Sequence, residues 1–153
     1  MSDEWKDLYG EIKARKMQQS AKANIVKKVE KSGRLLFVEG KYEKSTVVSK
    51  VYAATRDVIR PTQAAKKVLS EYDLVVIGCP GTEIPKAAFT KFRDYVFDNG
   101  GWILSTDWAL RAVIESIFPG YIRWNNEKTD DCVVKCEIDD PHHPFMDDVV
   151  DIT

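Results

Sequence analysis

Cys79 is the side chain best placed for covalent chemistry in this 153-residue chain. It follows the apolar run Asp73-Leu-Val-Val-Ile-Gly78 and precedes Pro80-Gly81, where a strand should give way to a loop. A thiolate there is a nucleophile once a base takes its proton, and the two histidines, His142 and His143, supply the candidate base. The commoner role for a cysteine at a strand end is that of a small buried apolar residue. Asp107 is the second candidate. A carboxylate at a pocket mouth holds a metal or a sugar hydroxyl, whereas its commoner role after Ser105-Thr106 is to cap the following helix, worth ~1 kcal/mol. Cys132, Cys136, His142 and His143 have the ligand chemistry of zinc. If Cys132 to Ile138 is a strand, however, the two thiols lie about 13 Å apart at ~3.3 Å per residue, too far to share one ion. No metal site is expected. Neither Glu39-Gly-Lys-Tyr42 nor Cys79-Pro-Gly-Thr82 is a glycine-rich phosphate loop, and no dinucleotide fingerprint occurs, so no cofactor is expected.

The elements that must carry these residues follow from hydrophobic periodicity. Arg34-Leu-Leu-Phe-Val-Glu39 is a short apolar run between Gly33 and Gly40, as a strand buried on both faces requires. Asp57-Val-Ile59 is a brief strand cut off by Pro61, which opens a helix bearing Ala64, Ala65, Val68 and Leu69. The run after Asp73 is the third strand. Pro85 opens a helix carrying Phe89, Phe92, Tyr95 and Val96, stopped at Asn99-Gly100-Gly101. Trp102 to Ser105 is the fourth strand, and Leu110, Val113, Ile114 and Ile117 line the helix that ends at Pro119-Gly120. Tyr121 to Trp124 and Cys132 to Ile138 read as two more strands. Strands alternating with helices predict a doubly wound, mostly parallel α/β sheet of about five to six strands. Trp5, Leu8, Tyr9 and Ile12 add an N-terminal amphipathic helix. The expected division is a helical extension over 1–31 and a single α/β domain over 32–153 with an acidic tail.

In an open parallel sheet, ligands bind beyond the carboxyl ends of the strands, where strand order reverses. That rule nominates Glu39, Gly40, Cys79, Gly81, Thr106, Asp107 and Trp108 as ligand- or partner-binding residues.

The segment "YDLVVIGCPG", the helix ending "FDNGG", and "WILSTD" running into a helix resemble the core of the class I glutamine amidotransferase-like superfamily, over roughly 35–118. The resemblance implies a flavodoxin-like sheet. Enzymes of that superfamily carry a cysteine nucleophile on a sharp turn after the strand matching Trp102 to Ser105, with glycine two residues later. Thr106 and Trp108 occupy those places here. The superfamily's His-Pro-Glu near the C-terminus is matched by His143-Pro144-Phe145, without the acid. The resemblance therefore implies a non-catalytic member that binds a protein partner or small ligand at the C-terminal edge of its sheet. The alternative is a hydrolase of a small molecule using Cys79 or Asp107 with His143.

Composition narrows the setting. No stretch approaches the ~20 apolar residues of a membrane span, and Met1 to Lys16 lacks the apolar run of a signal peptide. Three cysteines do not make a disulfide framework, so a cytoplasmic chain is expected. Residues 1–31 hold eight Lys/Arg against five Asp/Glu, and residues 125–153 hold two against nine. An excess so small at the basic end describes a solvated face and argues against nucleic acid. The opposed charges of the two ends fit a protein partner or a homo-oligomer.

Overall fold

The computed structural model describes residues 23–43 and 55–130, with Glu11, Ala14, Arg15, Met17, Gln18 and Ser45 besides. The predicted N-terminal helix from Trp5 to Ile12 and the predicted strand from Cys132 to Ile138 lie essentially outside that set, as do His142 and His143. The chain divides into two units, Met1–Lys27 with Lys128–Thr153, and Lys28–Glu127; the α/β architecture belongs to the second.

Four strands make an all-parallel sheet among the described residues: β1 Arg34–Val38, β2 Thr55–Ile59, β3 Leu74–Ile77 and β4 Trp102–Ser105, in the order β2-β1-β3-β4. β1 is central because it is the most continuously apolar, with Leu35 to Val38 all buried. It pairs with β2 through Leu36↔Asp57 and Val38↔Ile59, and with β3 through Leu36↔Val75 and Val38↔Ile77. Asp73, just before β3, fixes that second register. Its carboxylate accepts the Arg34 N–H at 2.7 Å while its own N–H donates to the Arg34 carbonyl at 2.9 Å.

The period of two along each strand separates two cores. Leu36, Val38, Ile59, Val75 and Ile77 form one face with Ala64, Leu69, Ala88, Phe92, Tyr95, Val113 and Ile117 from the crossovers. Leu35, Phe37 and Val76 form the other. Each buried Val, Leu, Ile or Phe among them contributes about 1.5–3 kcal/mol. β4 is different: Trp102 and Leu104 are 57% and 47% exposed, while Ile103 packs inward.

Helix α1 is Ala23–Ser32, closed by the Ser32 hydroxyl donating to the Lys28 carbonyl. Helix α2 is Ala87–Phe97 and buries Ala88, Phe92 and Tyr95. The crossover after β2 is two short 3₁₀ turns, Pro61–Lys66 and Leu69–Glu71, instead of the longer helix expected from Ala64, Ala65, Val68 and Leu69. Extended backbone at Lys67 and Val68, ψ 148 and 101, divides it, and the Val68 side chain is exposed. After β4 the chain forms a π-helical turn, Leu110–Ile114, continued by Glu115–Ile117. Tyr121 to Trp124, expected as a strand, pairs with no strand among the described residues; the segment runs as an irregular strap after Gly120.

A polar clamp ties the β2 edge to the crossover. Asp57 accepts hydrogen bonds from the Tyr72 hydroxyl and from Lys67 Nζ at 3.0 Å, which hold its carboxyl below the ordinary carboxylate range. A depressed folded-state pKa gives stability that is present above the ordinary range and lost as pH falls through the lowered value. Asp57→Asn should therefore flatten the loss of stability between neutral and acid pH, read from urea midpoints; an unchanged acid slope would show the clamp to be idle. The α2–β4 turn gives a second test. The buried Tyr95 ring, held by its hydroxyl donating to the Tyr72 carbonyl at 3.0 Å, lies where a Gly101 side chain would go, 2.1 Å from the ring. Gly100 has φ +66 and open space around it. Gly101→Ala should cost about 2–3 kcal/mol of unfolding free energy by overpacking, and Gly100→Ala only about 1 from backbone strain.

Candidate functional site

Strand order reverses between β1 and β3, since the chain leaves β1 toward β2 and then crosses back to β3 and β4. The loops after β1, β3 and β4 meet there, and glycine lets them do so. A Cβ on Gly40 would stand 2.3 Å from the Cys79 carbonyl oxygen, and one on Gly78 2.6 Å from the Gly40 nitrogen. Without side chains in the way, the Lys41 and Tyr42 N–H groups donate to the Cys79 carbonyl at 2.8 and 3.4 Å.

This contact carries Glu43 into the center of the three loops. Its Oε2 accepts the Thr106 hydroxyl at 2.6 Å and the Cys79 N–H at 3.3 Å, joining segments 63 and 36 residues away. Glu43 was not among the residues nominated from the sequence. Its only sequence signal is its place in the loop after β1; the reach across to β4 depends on packing.

Cys79 is buried, and its thiol donates to Asp107 Oδ2 at 3.4 Å. Burial pushes the thiol up from its ordinary range; a hydrogen bond from the Trp108 backbone opposes this, and the Asp107 carboxyl adds to the rise. The protonated thiol is thus a donor at neutral pH, the opposite of the lowered thiol that nucleophilic catalysis requires.

Asp107 itself is the residue on the sharp turn. Its φ is +42, in the left-handed region that a non-glycine residue enters at a cost and that Asp enters more readily than most. The left-handed residue of this turn is Asp107, one past Thr106, and Thr106 is tied to the sheet by its N–H donating to the Ile77 carbonyl. Asp107 does not cap the helix as expected. Ala109 holds the cap position with no side-chain cap, and the Asp107 carboxyl is engaged with Cys79 instead. The turn is closed by backbone alone, Ala109 N–H to Thr106 and Leu110 N–H to Asp107, both at 3.1 Å.

The other nominated residues fall around this center. Glu39 is half-buried and its N–H pairs with the Ile59 carbonyl on the β2 side. Gly81 is buried, with φ +71, against Val113, Ala109 and Ile77. Trp108 is half-buried, with its ring 5.8 Å from that of Trp124. Cys132, Cys136, His142 and His143 lie outside the described residues. Among the described residues no group of three or more His, Cys, Asp or Glu side chains is arranged to hold a metal ion. No helix among them is long and apolar enough to cross a membrane.

Compared with models of known families, with curated proteins and with solved structures, the chain matches none.

The raised thiol has a direct consequence. Iodoacetamide at neutral pH should label Cys79 at least about tenfold more slowly than an unfolded control, with labelling rising only above the ordinary thiol range. Fast labelling at pH 7, localised by peptide mass spectrometry, would show a thiolate that this environment does not provide.

Proposed function

We propose that this chain is a non-catalytic, glutamine amidotransferase-like binding module, flavodoxin-like in its sheet, that holds a small ligand at the carboxyl ends of β1, β3 and β4. The observation that carries this reading is the Cys79 thiol at the end of β3, protonated and spent as a donor to Asp107 and so not free to act as a nucleophile. Supporting it, the order β2-β1-β3-β4 is the first part of the flavodoxin-like order, whose ligands sit at the β1/β3 reversal. The half-buried Glu43 and exposed Asp107 offer acceptor oxygens at that reversal. The ligand class that fits carries hydrogen-bond donors, hydroxyls or an amine, in preference to phosphate. A cytoplasmic setting accords with this reading.

A second reading rests on the left-handed backbone of Asp107. A carboxylate held on an elbow is positioned like a nucleophile, and with His143 as base it describes a small-molecule hydrolase. Turnover of activated esters that survives Asp107→Asn would remove this reading.

The binding module is tested by amide chemical-shift mapping with a panel of polyols and amines set against phosphates and carboxylates. Shifts should cluster at 40–43, 78–79 and 106–108 for the donor-rich compounds alone. Asp107→Asn should weaken that binding about tenfold or more, the loss expected for a hydrogen bond to a charged acceptor. Shifts clustered elsewhere, or phosphate preferred, would sink the proposal.

A further inference from the structure

The helix after the elbow ends at Phe118, and Gly120, at φ +87, turns the chain into the strap 121–127. Its start is pinned at α2, where Tyr121 lies 6.0 Å from the Phe97 ring. Its tip is internally braced. The Trp124 indole N–H donates to the Glu127 carbonyl at 2.9 Å, the Glu127 N–H to Asn125 Oδ1 at 3.0 Å, and Asn125 Nδ2 to Glu127 Oε2 at 3.2 Å. Asn126, at φ +68, makes the bend between them. Among the described residues, the hydrogen bonds made by 122–127 all stay within the strap.

What joins this braced tip to the elbow is one side chain. Trp124 has the Arg111 guanidinium 4.3 Å from its ring center and the Trp108 ring at 5.8 Å, tilted by 57°. Trp108 in turn lies directly beside Asp107 and its backbone is hydrogen-bonded to Cys79. The line of contact therefore runs from the strap, through the Trp124 and Trp108 rings, to the Trp108 backbone that bonds the Cys79 thiol.

We infer that the strap is a latch, held shut by Trp124, and that its release opens the elbow and exposes Cys79. The regulatory meaning, control of ligand entry, rests on the binding reading above; the latch itself does not. One aromatic pair and one cation–π contact at a partly exposed position are enough to keep a short segment closed most of the time, and few enough for it to open without global unfolding.

Cys79 is the reporter, being only 3% exposed. In a Cys132→Ser/Cys136→Ser background, its reaction with Ellman's reagent is followed under native conditions. Trp124→Ala should speed the reaction about tenfold, equivalent to ~1.4 kcal/mol of latch, with a weak dependence on low urea because little surface opens. Trp124→Phe, which keeps an aromatic ring, should stay within about threefold of the parent. A rate unchanged in Trp124→Ala overturns the inference, and so does a rise whose urea dependence equals that of global unfolding. No ligand enters this measurement. Faster labelling without donor-selective shifts at the elbow would keep the latch and discard the binding module, and the converse result would discard the latch alone.

Discussion

The backbone contact between Gly40 and Gly78-Cys79 is the constraint on which the site depends. β1 and β3 are neighbors in the sheet though a strand and two crossovers separate them in the chain. Their ends converge so closely that a methyl group on either glycine would strike main-chain atoms. This approach lets the Cys79 carbonyl accept from Lys41 and Tyr42, and that pairing delivers the loop carrying Glu43 to the elbow. A methyl at Gly40 would push the β1 loop away and part Glu43 from Thr106, leaving a sheet without a site.

The chemistry built on that contact is one of acceptors and donors already paired. Glu43 takes a hydroxyl and an amide, and Asp107 takes a thiol. Such pairing stabilises partly buried polar groups that would otherwise cost free energy, and it also quiets them. A thiol raised by burial and by a neighboring carboxyl is a poor nucleophile. The left-handed backbone of Asp107 is the strained feature of these loops, and its carboxyl is engaged with the Cys79 thiol.

Much of the fold was legible in residue patterns. Leu35 to Val38 and Leu74 to Ile77 are continuous apolar runs of strand length, and such runs signal burial on both faces wherever they lie in a chain. The stop after Phe97 was legible for a comparable reason: the Gly100-Gly101 pair ends a helix locally. The segments that misled are those in which local pattern and packing compete. Ala64 to Leu69 has a helical spacing, but its crossover is divided into two tight turns around an exposed Val68. Tyr121 to Trp124 has the composition of a strand, yet its aromatics are spent on Phe97 and Trp108 instead of on a ladder.

The candidate site divides along the same line. Its place, beyond the ends of the strands holding Val75 to Ile77 and Trp102 to Ser105, follows from alternation of strand and helix, because parallel connection puts all carboxyl ends on one edge. By itself the sequence determined that edge and put Cys79, Thr106 and Asp107 on it. Only the tertiary structure decided which residue stands on the elbow, that Glu43 joins them, and that Cys79 is a donor. Those facts depend on distances between segments tens of residues apart and on the burial that raises a thiol, and neither quantity exists until the chain has folded.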